Sequence, residues 1–188
     1  MGEITPAYAA LAPEDVTQVR ALLGPARILY IIRDPMERMW SQATKDMPRR
    51  TGLPLAHLDD AALLDFVQQD HCRRRTAYAA ALANWQRVFG AENVLLLFFD
   101  DLARAPEDVV DALDHFLGLS PAGRAGPVPL PGRLNSYRQG GEVPPMGTAK
   151  YLAQVSLEEI AALRALGLTA PALGHWEQRA QAALTGRL

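Results

Sequence analysis

Arg27-Ile28-Leu29-Tyr30-Ile31-Ile32-Arg33-Asp34-Pro35-Met36-Glu37-Arg38-Met39-Trp40-Ser41 joins a strand-like run to a helix start with no loop between them. Ile28 to Ile32 is apolar at every position and rich in β-branched residues, the pattern of a strand covered on both faces, as in parallel sheets. The chain then turns at once. Asp34 is a good N-cap, Pro35 suits the first helical position, and Glu37, three residues past the cap, completes a capping-box-like pattern. In open α/β sheets such a junction, at the carboxyl end of a strand, is where ligands bind; free N–H groups and the helix dipole favour an anion there. Arg33, on the last strand position, and Ser41, about two turns into the helix, could bring a guanidinium fork and a hydroxyl to one phosphate. Equally, Arg33 could pair with Asp34 or Glu37 on the surface, with Ser41 an ordinary helix residue. The segment alone leaves both readings open.

Outward from this junction, Pro13 to Leu23 reads as a first helix, with Glu14 and Asp15 in its first turn and Gly24-Pro25 stopping it. The helix begun at Pro35 is expected to reach Thr44, with Met47 to Pro54 a loop because it carries Pro, Arg, Thr and Gly. Asp59 to Gln69 reads as a short amphipathic helix, and Arg73 to Phe89 as a longer one ending at Gly90. Val94 to Phe99 is a second buried strand. Pro106 to Leu117 is a helix stopped by Gly118. Ser120 to Pro145 is rich in Gly and Pro, part of an irregular excursion expected over 119–150. Ser156 looks like a cap opening a helix from Leu157 to Leu166, and Glu177 to Leu184 adds a terminal helical segment. The fold class is helix-rich α/β, with the two strands parallel in one small sheet and a single domain over 1–188.

Composition bounds the function. A chain of 188 residues, 49% hydrophobic, can bury a sizeable core. A net charge of −2 gives no general reason to expect nucleic acid or an anionic membrane surface as partner. The lone Cys72 excludes an intramolecular disulfide and a multi-cysteine zinc site, and fits a reducing, cytoplasmic setting. No signal-peptide pattern is visible, and no apolar run approaches the ~20 residues of a membrane span.

Other candidate residues have plainer readings. Arg73-Arg74-Arg75 could attract an acidic or sulfated acceptor, but a charge run at a helix start is usually a solvated face. Tyr78, Leu82 and Trp85 recur at helical spacing and read as core. His57, His71, His115 and His175 have no companions at metal-ligand spacing, so no metal is expected. Asp100 and Asp101 could orient an acceptor, or simply cap the following turn.

Arg33-Asp34-Pro35-x-x-Arg38-x-x-Ser41 after an apolar strand resembles the motif by which sulfotransferases hold the 3′-phosphate of 3′-phosphoadenosine 5′-phosphosulfate. Gly2-Glu3-Ile4-Thr5-Pro6-Ala7-Tyr8 is similar to the Glu-Lys-Thr/Ser-Pro-x-Tyr segment before that strand in heparan-sulfate-type and many bacterial members. Asn93 to Leu102, with Pro106 and Phe116-Leu117-Gly118-Leu119, resembles the strand, acidic turn and helix end that follow. The resemblance runs from Gly2 to about Leu119, with a fainter echo from Leu134 to Trp176. It implies a parallel sheet flanked by helices, related to the P-loop nucleotide-binding fold, and a nucleotide sulfate donor. It makes Arg33 and Ser41 the cofactor-binding residues, with Arg38 supporting the helix or a neighbouring loop. Arg133, Asn135, Ser136 and Arg138 lie where the family often adds nucleotide contacts, but lack its Lys/Arg-Gly pattern.

The departures set further expectations. No Gly-rich, lysine-containing phosphate loop occurs; the only lysines are Lys45 and Lys150, and Gly147-Thr148-Ala149-Lys150 reads as a loop entering a helix. In the family that loop cradles the 5′-phosphosulfate, its lysine stabilises the leaving oxygen, and the usual general base lies just beyond it. The catalytic residues are therefore unknown, and Ile4 stands where heparan-type enzymes carry lysine. A sheet short of its central strand should be N-terminally incomplete, with an open apolar edge or face that favours self-association. The expected function is sulfuryl transfer to a hydroxyl or amine, inactive in a shortened chain. The alternatives are a non-catalytic nucleotide-binding or scaffold domain of the same fold, and a kinase-like phosphotransferase. The acceptor is not legible.

Overall fold

The structure, a computed structural model, describes residues 2–120 and 143–187. Arg133, Asn135, Ser136 and Arg138 fall outside the described residues. The described chain forms two compact units: a sheet unit of residues 12–33 and 82–120, and a helical unit of residues 2–11, 34–81 and 143–187.

In the sheet unit, β1 (Ile28–Ile32) lies parallel to β2 (Val94–Phe98), with Ile28 opposite Val94 and Ile32 opposite Phe98. Both strands and their parallel pairing are as expected. Cover on both faces, the reading of the apolar run alone, is not, and an open apolar face is found instead, as expected of the sheet. Side chains alternate along a strand, and while Ile32 is buried at 1% exposure, Leu29 and Ile31 on the opposite face are each 44% exposed. One face of β1 is therefore open and apolar. Around the strands, α1 (Pro13–Leu23) begins at a proline and stops at Gly24, whose φ of 67° suits a residue without Cβ. Val16 is its buried anchor, and the Arg20 guanidinium lies over the Phe89 ring at 5.6 Å. Phe99 starts a short helix, α6 (Phe99–Arg104), instead of extending β2. It precedes α7 (Pro106–Leu117), which ends at the left-handed Gly118 as expected.

The helical unit is built from α2 (Pro35–Thr51), α3 (Asp60–Gln68), α4 (Asp70–Arg74), the start of α5 (Tyr78–Phe89), α8 (Met146–Ala165) and α9 (Pro171–Leu184). Its core takes Met36, Met39, Ala43 and Met47 from α2 at helical spacing, Leu63, Phe66 and Val67 from α3, Leu152 and Val155 from α8, and Ala180 and Ala183 from α9. Tyr78, Leu82 and Trp85 of α5 are buried, as their spacing implied.

Four boundaries differ from the sequence reading, the first three for tertiary reasons. Helix α2 continues past Thr44, through Pro48 to Thr51, because Met47 belongs to the core stripe, and it stops at the left-handed Gly52. The expected single helix from Arg73 to Phe89 is broken between α4 and α5. There the Thr76 hydroxyl donates to the Cys72 carbonyl at 3.0 Å, and Glu159 accepts from the Ala79 amide at 2.6 Å. Most of the stretch expected to be irregular lies outside the described residues, and Gly147-Thr148-Ala149-Lys150 lies within the first turns of α8 rather than in a loop. Asp60 caps that helix start, accepting from the Gly147 amide at 2.7 Å and the Thr148 amide at 2.8 Å. Ser156 therefore sits in the middle of α8, fully buried, and opens nothing. Finally, α9 begins at Pro171, ahead of Glu177.

Candidate functional site

Asp34 is the N-cap of α2, and its carboxylate divides its two oxygens between two tasks. Oδ1 accepts from the Met36 amide at 2.8 Å and the Glu37 amide at 3.4 Å, satisfying first-turn donors. Oδ2 accepts from Arg179 of α9 at 3.1 Å, and the same Arg179 Nη1 also reaches Glu37 Oε1. Asp34 is 3% exposed, and this burial raises its carboxyl to about 6, with Glu37 adding to the rise and Arg179 opposing it.

The helix start therefore already holds an anion of its own. The expectation that N–H groups of α2 stand free for a ligand is corrected for Met36 and Glu37, whose amides are taken by Asp34.

Arg33, the last residue of the sheet unit, follows β1 directly, one position later than read from sequence. It is half-buried, and its guanidinium rests over the Phe99 ring at 5.5 Å, a contact that restrains the side chain. Ser41 belongs to the helical unit, half-buried on α2, where its carbonyl accepts from the Thr44 hydroxyl at 3.1 Å. Arg38 does what the resemblance implied, bracing a neighbouring segment: its Nη1 donates to the Cys72 carbonyl at 3.0 Å and to Thr76 Oγ1 at 2.8 Å.

The Thr-Pro-x-Tyr segment forms a short 3₁₀ turn, Pro6–Ala10, with the Tyr8 hydroxyl donating to Glu3 Oε1 at 2.7 Å. That bond is the main reason the Tyr8 hydroxyl titrates above its usual value. Arg73 and Arg74 of the basic run are engaged locally. Arg73 donates to the Tyr151 hydroxyl at 3.2 Å, and Arg74 pairs with Asp70 at 2.7 Å. Asp100 and Asp101 occupy the first turn of α6, where Asp101 pairs with Arg104 at 2.5 Å. Among the described residues no His, Cys, Asp and Glu cluster could hold a metal ion, and no helix is long and apolar enough to cross a membrane. Cys72 is fully buried, which raises its thiol above the usual range and makes it a core residue.

Sequence reasoning missed Arg179. Two signals pointed to a residue of its kind: Asp34 and Glu37 put two acids at one helix start, and Arg179 flanks the apolar stripe Trp176, Ala180 and Ala183.

Two comparisons bear on this arrangement. The model of a sulfotransferase family matches residues 11–122, a span that runs from before α1 to past α7 and includes Arg33, Asp34, Arg38 and Ser41. The crystal structure of a sulfotransferase from Alicyclobacillus acidocaldarius is similar in fold, with a TM-score of 0.64 at 22% sequence identity over 88% of this chain. The chain spans 64% of the length of that sulfotransferase. With well over half of its residues matched by the family model, and with a helix-rich α/β architecture around a small parallel sheet, the chain belongs to the sulfotransferase family.

Proposed function

We propose that this chain is a single sulfotransferase-like domain, made of its two compact units, that binds 3′-phosphoadenosine 5′-phosphosulfate through its 3′-phosphate. Arg33 and Ser41 are the phosphate ligands in this reading. The whole protein transfers the sulfuryl group to a hydroxyl or amine acceptor, in the cytoplasm and without a metal, and releases 3′-phosphoadenosine 5′-phosphate. The carrying observation is the Arg33-Asp34-Pro35 junction itself, where β1 passes into an N-capped α2 inside the family match. The residues present suit a phosphate. Arg33 carries a fork of charged donors, Ser41 adds a hydroxyl on the same strand–turn–helix segment, and the Met36 and Glu37 amides are already taken by Asp34.

A second reading, a nucleotide-binding or scaffold domain without turnover, is favoured by one feature. The sequence contains no glycine-rich loop with a lysine to stabilise the leaving oxygen. Both readings share the nucleotide site, and sulfuryl transfer by the purified chain would decide against the second.

Calorimetry tests the site. 3′-Phosphoadenosine 5′-phosphate should bind more tightly than AMP, which lacks the 3′-phosphate, and Arg33→Ala should remove most of that difference, about 1.5–3 kcal/mol for a charge-assisted contact. Equal affinity for the two nucleotides, or an Arg33→Ala variant that keeps the preference, would refute the assignment.

A further inference from the structure

We propose that Arg179, on α9 and beyond the stretch that the family model matches, is a positioning residue for the nucleotide site. Its guanidinium clamps the N-cap and the first turn of the helix that carries Ser41. The inference rests on the nucleotide reading of Arg33 and Ser41 given above.

The geometry that carries it is specific. Arg179 Nη1 lies 3.1 Å from Asp34 Oδ2 and also contacts Glu37 Oε1, so one cation bridges the cap and the third residue of α2. Asp34 is 3% exposed while the Arg179 side chain is 47% exposed, so a buried anion is held by a cation that reaches it from the surface. Behind the clamp, Ala180 and Ala183 of α9 share a core with Met36 and Met39 of α2. The arginine is thus delivered by a packed helix and not by a loose tail.

The electrostatic role follows from the charges at this helix start. Between Arg33 and Ser41 the sequence carries two acids, Asp34 and Glu37, and the remaining base, Arg38, is directed to Cys72 and Thr76. A phosphate held by Arg33 and Ser41 would meet two carboxylates on the same short segment. Arg179 pairs with both and offsets one of the two negative charges, and it favours the ionised form of Asp34 that caps α2. Its opposition to the upward shift of the Asp34 carboxyl is consistent with this.

The test compares Arg179→Gln, which keeps size but not charge, with Arg179→Lys, which keeps the charge. For each, the ratio of affinities for 3′-phosphoadenosine 5′-phosphate and AMP is measured by calorimetry, beside a thermal melt. A purely structural role would weaken both nucleotides together and leave the ratio alone. The expected result is a ratio about tenfold lower in Arg179→Gln and within about threefold of wild type in Arg179→Lys, both variants melting cooperatively. The Asp34 carboxyl, followed by NMR, should titrate higher in Arg179→Gln. The inference is overturned if Arg179→Gln keeps the wild-type ratio, if Arg179→Lys loses as much as Arg179→Gln, or if Arg179→Gln does not fold, which would make the residue a requirement of the fold. Wild-type protein with no preference between the nucleotides overturns the nucleotide reading itself. A wild-type preference that Arg179→Gln retains overturns the positioning role alone.

Discussion

Asp34 caps α2 while buried at 3% exposure, and burial holds its carboxyl near 6 against an ordinary value of 3.8. Between those two values the folded chain retains a proton that the unfolded chain has released, so this group makes stability fall as pH rises through the window, by on the order of 2–3 kcal/mol. Asparagine caps a helix as well as aspartate does and carries no charge. Asp34→Asn should therefore flatten the stability profile between about pH 4 and pH 6, measured by urea unfolding at each pH. Glu159, also raised by burial, leaves a residual slope of the same sign. Much of the residue-level reading came from adjacency. The cap, the proline and the arginine before them are consecutive letters. Arg179 was not legible in the same way, since its partners Asp34 and Glu37 lie 145 and 142 positions earlier.

At the scale of elements, the start of α8 depends on a carboxylate from another helix. Asp60 accepts from the Gly147 amide, the Thr148 amide and, at 2.6 Å, the Thr148 hydroxyl, and these bonds hold its carboxyl below the usual range. Asp60→Ala should lower stability by about 1.5–3 kcal/mol, the usual worth of hydrogen bonds to a charged acceptor, with the loss visible in denaturant unfolding. Hydrogen exchange should quicken first in the opening turn of α8. This contact also explains why that helix was misread. Ser156 has the letters of a cap, but the true start lies at Met146, where the capping oxygen comes from α3 and leaves no local signature. The same holds at Pro48, where burial of Met47 outweighs the breaker, and at Thr76, where a distant arginine and glutamate split one apolar stripe into α4 and α5. Where stop signals are local, as at Gly24 and Gly118, sequence and structure agree.

For the molecule as a whole, the open face of β1 leads to a prediction about solution behaviour. Leu29 and Ile31 lie side by side at 44% exposure, and Phe99, the first residue of α6, is 49% exposed. Apolar surface beside a strand edge invites association. Sedimentation velocity should show mass that rises with concentration, and Leu29→Glu with Ile31→Glu should return the chain to a monomer; a wild-type protein that stays monomeric across the range would exclude this. The helical unit carries a different consequence, for synthesis on the ribosome. Its α2 is made well before α8 and α9, yet the residues that cover Met36, Met39 and Met47 include Leu152, Val155, Ala180 and Ala183. The fastening contacts are as distant, with Asp60 to Thr148 spanning 88 positions and Asp34 to Arg179 spanning 145. A nascent chain must hold a methionine-lined helix in water until α8 and α9 have been made, so this unit closes late relative to the synthesis of α2, and its yield in a cell depends on what shelters that helix in the meantime.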